Sequence, residues 1–143
     1  MKKAINPAKA YLMRYRALIL RQDSLIRAID AAHDRAYSIT AAIGGDRVQV
    51  SARDRMADDI IRALEATEQL IECKFETDKA LAEILQAINA VADQMGHTIL
   101  LMRYVEGLSW RDIQERTHYE KSQVFIIHGK ALWTVNRWLE GKK

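Results

Sequence analysis

Residues 97–140 read HTILLMRYVEGLSWRDIQERTHYEKSQVFIIHGKALWTVNRWLE, and the punctuation inside this stretch decides the fold. HTILLMRYVEG offers Ile99, Leu100, Met102 and Tyr104 to a core and stops at Gly107, a residue suited to the end of a helix. LSWRDIQERTHY follows. Ser109 is placed to cap a second helix, Asp112 sits three residues on as its box partner, and Trp110 and Ile113 point inward. After a short turn at Thr117–His118–Tyr119 a longer helix is expected. Val124, Ile127, His128, Ala131, Leu132 and Val135 form its apolar stripe at helical spacing.

Two helices of this length, three or four residues apart, meet the spacing of a helix-turn-helix. In that motif the second helix offers its first turn to the major groove while the first braces it across the backbone. Glu120, Lys121, Ser122 and Gln123 lead the second helix. Lysine can bind guanine edges or phosphate, and glutamine can pair bidentately with adenine. Phe125 and Ile126 come next, where apolar groups can meet thymine methyls or another protein. Lys121, Ser122, Gln123, Phe125 and Ile126 are therefore the base-reading candidates. Ser109, Arg111, Arg116, Lys130 and Arg137 are the phosphate candidates that would fix orientation.

Working back towards the start, the chain reads as two long helices. Asn6 and Pro7 suit the N-cap and first position of one. Tyr11, Tyr15, Leu18, Gln22, Leu25, Ile29, Ala32, Ala36, Ile39 and Ile43 then alternate spacings of four and three, a heptad seam, which Leu12, Ile19 and Ile26 widen. Gly44–Gly45–Asp46 signals a turn. RVQVSAR follows with too little alternation for a strand, and Ser51 with Asp54 forms an S-x-x-D cap for a second long helix. Its apolar residues are Met56, Ile60, Leu64, Leu70, Ile71, Phe75, Leu81, Ile84, Ile88, Val91 and Met95, with a bend near Thr77 left open. The expectation is an antiparallel hairpin that buries both stripes, with apolar surface left over for pairing of subunits.

Charge fits that arrangement. Residues 1–43 carry 8 basic and 3 acidic groups, residues 44–96 carry 6 and 11, and residues 97–143 carry 8 and 5. The first two segments are complements, and only the last keeps a surplus for an external partner. With 49% apolar residues, one proline and six glycines in 143, the chain favours a helical core over disorder. No stretch reaches the roughly 20 apolar residues of a membrane span, and Arg14, Arg16 and Arg21 interrupt what a signal peptide would need, so a cytoplasmic protein is expected.

Enzymatic readings find no support. His33, His97, His118 and His128 lack metal-ligand spacing, and Cys73 is the only cysteine and is expected to be a buried small hydrophobe. Asp58, Asp59 and Asp93 read as charges on solvated helix faces, and no glycine-rich phosphate loop occurs. No catalytic residue, metal or cofactor is expected.

The string LLMRYVEGLSWRDIQERTHYEKSQV…KAL resembles region 4 of bacterial sigma factors over about residues 97–135. Over the whole chain, DRMADDI at 54–60, the Asp93 break, RYVEGLSW and the ending His128-Gly129-Lys130-Ala131-Leu132 resemble small phage and prophage proteins. These are related to the ArpU/RinA-type regulators of late phage genes. The resemblance implies a transcriptional regulator in a bacterial host that binds double-stranded DNA, with RNA polymerase as a second partner. The chain departs from the sigma pattern at Phe125 and Ile126, at His118 in place of the turn glycine, and at His128 in place of a core leucine.

The expected architecture is all-α: a coiled-coil-like helical hairpin over 1–95, serving oligomerisation, then a sigma-region-4-like helix-turn-helix over 96–143. Two alternatives keep the fold. One is a polymerase-binding adaptor that reads little DNA, and the other is a small terminase-like DNA-packaging subunit. Ring assemblies would favour the packaging subunit and two-fold dimers the regulator.

Overall fold

The computed structural model describes residues 6–42 and 46–142, with the backbone alone described at 39–42 and 46–52. The described chain is all-helical. Helix α1 spans Pro7–Ala42, α2 Asp46–Asn89, α3 Gln94–Leu100, α4 Trp110–Thr117 and α5 Lys121–Gly141. A π-helical turn at Leu101–Val105 continues α3 directly. None of these helices is long and apolar enough to cross a membrane.

Start signals act locally, and most lie where the sequence puts them. Asn6 caps α1 through Oδ1, which accepts the Ala8 amide at 3.0 Å. Asp93, expected as a charge on a solvated helix face, instead caps α3, accepting the Gly96 amide at 2.8 Å. The S-x-x-D reading at Ser51 does not hold, because α2 already begins at Asp46 and runs unbroken through Thr77 to Asn89. The expected turn glycines Gly44 and Gly45, and the seam residue Ile43, lie outside the described residues.

The chain divides into two compact units, one holding the described residues up to Ala17 together with those from Thr77 onward, the other Leu18–Glu76. In the first unit Leu12 of α1, Ile84 and Ile88 of α2, Leu100 of α3 and Val135 of α5 are fully enclosed in one apolar cluster. Each such side chain contributes about 1.5–3 kcal/mol by leaving water. The start of α1 is held to the end of α5. Asn136 Oδ1 also accepts the Ala8 amide, at 2.8 Å, and the Tyr11 and Trp138 rings meet edge-on at 6.2 Å. The Arg14 guanidinium, 2.7 Å from Glu83, holds that carboxyl below the usual range.

In the second unit the α1 seam is buried or half-buried at Leu18, Gln22, Leu25, Ile29, Ala32 and Ala36, as its heptad spacing predicts. Ile26 lies outside it, 45% exposed. The Cys73 thiol, buried, donates to the Leu18 carbonyl at 3.6 Å; Asp59, expected on a solvated face, is instead buried and pairs with Arg35 at 3.1 Å. On α2 the expected stripe holds at Met56 and Leu70, which are half-buried, and fails at four positions. Ile60, Leu64, Ile71 and Phe75 are exposed, and the row turned inward is Asp59, Ala63, Ala66, Leu70 and Cys73. Small side chains let two helices approach closely, and the bulky row on α2 is then left in water.

Candidate nucleic-acid interface

Helix α4 is eight residues long, and three residues separate it from α5. Ser109 begins it by accepting the Asp112 amide at 3.2 Å. His118 ends it in the left-handed region (φ 61°), and its amide donates to the Gln114 carbonyl. A non-glycine residue reaches that conformation only at a steric cost, which helix C-termini tolerate best. Tyr119 then donates its amide to Thr117 Oγ1 at 3.3 Å, and Glu120 opens α5.

The two helices are locked by a small second core. Ile99, Ile113 and Val124 are enclosed there, with Met95, Met102, Leu108, Trp110, Tyr119 and Ile127 packed round them. Beneath α4 the π-helical turn carries Tyr104 inward. Its hydroxyl lies 2.8 Å from His128 Nε2, and the Trp110 ring meets the imidazole edge-on at 4.7 Å. Burial, with the charges of Lys9 and Arg103 nearby, pushes His128 down to about 4. Burial pushes Tyr104 up to about 12 against the smaller pull of Arg103. The imidazole is thus held neutral within the core, with a side-chain hydroxyl as its partner.

Gly107 follows the turn with φ +76°. A Cβ there would come within 2.5 Å of the Arg16 guanidinium, the movable end of a flexible side chain, so it is chiefly the positive φ that calls for glycine.

Lys121, Ser122 and Gln123 stand exposed in the first turn of α5. Gln123 is engaged, because its Oε1 accepts the Glu120 amide at 3.3 Å. Ile126, 59% exposed, continues the same outward face one turn on. Phe125 is only 39% exposed, since its ring rests edge-on against Trp110 at 5.0 Å. Lys121 Nζ lies over the outer side of that ring, 5.7 Å from its centre.

The phosphate candidates are dispersed. Arg111 pairs with Glu115 at 3.6 Å, and Arg116 with Glu106 at 3.1 Å, both on the surface. Exposed pairs of this kind are weak and can exchange for a competing anion. Lys130 is exposed two turns into α5. Arg137 lies about 22 Å along the helix from Ser122, stacked on Trp133 at 5.1 Å. It does not join the first-turn group.

Two residues that the sequence reading passed over belong to this region. Arg103 covers the Trp110 ring at 4.5 Å and donates to the Leu108 carbonyl at 2.9 Å, fixing the indole that supports Phe125. Trp133 is 62% exposed on the same face as Ser122 and Ile126. The spacing 122, 126, 129, 133 carried that signal, but it marks the face opposite the core stripe. Among the described residues no cluster of three or more His, Cys, Asp or Glu could hold a metal ion. Comparison with known protein families, with characterised proteins and with solved structures gives no match.

Proposed function

We propose that α4 and α5 form a helix-turn-helix of the sigma-region-4 kind, and that the protein is a DNA-binding transcriptional regulator. The resemblance to the ArpU/RinA-type proteins directs the same reading to phage or prophage genes. The observation that carries it is the first turn of α5. Lys121, Ser122 and Gln123 stand exposed there with Ile126 one turn on, and α4 supports that helix from behind through Ile113 and Val124. Such a turn can enter a major groove and meet base edges, while Ser109 and Arg111 at the start of α4 meet phosphates. In this reading α1 and α2 form an antiparallel hairpin over 1–95, supported by the Leu18–Cys73 and Arg35–Asp59 contacts, whose numbers run in opposite senses.

Gln123 gives the sharpest test. Gln123→Glu keeps the acceptor that the Glu120 amide uses, but it removes the side-chain donor that adenine N7 requires. It should leave helix content unchanged and weaken binding to the specific site by about 1–3 kcal/mol more than binding to unrelated DNA, which the added charge weakens alike; equal losses on both refute the adenine contact. Binding is read by capture of fragmented phage DNA at two salt concentrations, followed by sequencing. Phosphate-only binding falls steeply with salt, whereas a true site persists as a local peak. A peak at high salt supports the regulator; no peak at either salt refutes DNA reading.

A second reading rests on Ile126 and Trp133, both more than half exposed on one face of α5. That face would suit an adaptor that holds a protein such as RNA polymerase. Trp133→Ser, outside the base-reading candidates, should then weaken polymerase capture and leave any DNA peak in place.

A further inference from the structure

Along α2, Asp59, Ala63, Ala66, Leu70 and Cys73 form an inward row with alternating spacings of four and three. A second row with the same alternation, Ala57, Ile61, Leu64, Glu68, Ile71 and Phe75, lies about 160° round the helix. All six of its residues are exposed: Ile61 53%, Leu64 60%, Ile71 54% and Phe75 73%, with Ile60 at 47% on its edge. Five large side chains of α2, Ile60, Ile61, Leu64, Ile71 and Phe75, are thus on the wrong side of the helix to stabilise this unit. In the described part of Leu18–Glu76 the apolar side chains that are fully buried are Ala32 and Cys73. Two helices joined through so small a core hide little of the surface on which folding depends.

We infer that this outer row of α2 docks on the same row of a second copy of the chain, in parallel, as a two-fold coiled coil. Three properties select that occupant. A seam with a 3.5-residue period stays in contact only with a partner of the same period, which a second copy has by construction. The five large side chains expose on the order of 100 Å² each, so two copies withdraw about 1,000–1,200 Å² from water, the lower edge of the range for specific interfaces. Charge then chooses the direction. One flank of the row is acidic, with Asp58, Glu65 and Glu72, whereas the other carries Arg53, Thr67 and Lys74. In a parallel pair the acidic flank meets the other flank of the partner; in an antiparallel pair acid would meet acid. Glu68 is the one polar residue in the row, and facing its own copy it fixes register at a cost in stability. This inference is independent of DNA reading, since it concerns the other compact unit.

The full-length chain is measured by sedimentation equilibrium at micromolar concentration. The expected mass is twice 16.4 kDa. Glu68→Gln should tighten the dimer at least several-fold, and Leu64→Lys with Ile71→Lys should give monomer. Because that double variant could lose its fold, Phe75→Cys supplies a second readout. In a parallel pair the two introduced thiols face each other and oxidation yields a covalent dimer. In an antiparallel pair they lie well beyond disulfide reach. A monomeric parent chain, or a dimeric parent whose Phe75→Cys variant does not cross-link, overturns the proposal.

Discussion

The buried Tyr104–His128 pair makes stability depend on pH in a calculable way. In the unfolded chain an imidazole takes a proton near pH 6.5, whereas in the folded chain His128 resists until about pH 4. The unfolded state therefore binds the proton first as pH falls. The stability His128 supplies is intact above about pH 6.5, drains away between 6.5 and 4, and is constant below that. The whole interval corresponds to about 3 kcal/mol, and by pH 5 about 2 kcal/mol should be gone. His128→Leu alone would strand the Tyr104 hydroxyl in an apolar site, so the informative comparison is Tyr104→Phe/His128→Leu, which removes both polar partners. Urea unfolding at pH 7.5 and pH 5, at fixed protein concentration, should show the parent midpoint falling about 1 M further than that of the double variant. If both proteins lose the same amount, burial does not hold His128 neutral and the reasoning about this core is wrong.

Three further outcomes follow from backbone geometry. Gly107→Ala meets both a positive φ and the Arg16 guanidinium, and should cost about 1–3 kcal/mol, read as a lowered thermal midpoint. His118→Gly relieves a left-handed non-glycine residue at the end of α4, and should stabilise the protein by about 0.5–1 kcal/mol in the same measurement. Asp93→Ala removes the acceptor of the Gly96 amide and should cost about 1 kcal/mol, seen also as faster hydrogen exchange at the start of α3.

The sequence by itself determined what depends on neighbours a few residues apart. Asn6 and Ser109 cap helices as read because each oxygen reaches an amide two or three residues on, whatever the rest of the chain does. The stripe Val124, His128, Ala131, Leu132 and Val135 is buried because helical periodicity gives α5 one apolar face, and the exposure of Lys121, Ser122 and Gln123 follows from the same period. Ser51 does not start a helix because its local cap signal is overridden by the earlier start of α2 at Asp46.

Tertiary structure alone decided which of two rows on α2 faces inward. Both rows have heptad spacing, and hydrophobicity favours the bulky one, yet close approach of two helices selects Ala63, Ala66 and Cys73. It also decided that Asn136 and Trp138 meet Asn6 and Tyr11, and that Arg16 covers Gly107. Contacts between residues more than 90 positions apart leave no periodic trace in the chain, because they depend on how packed helices meet and not on how each one forms.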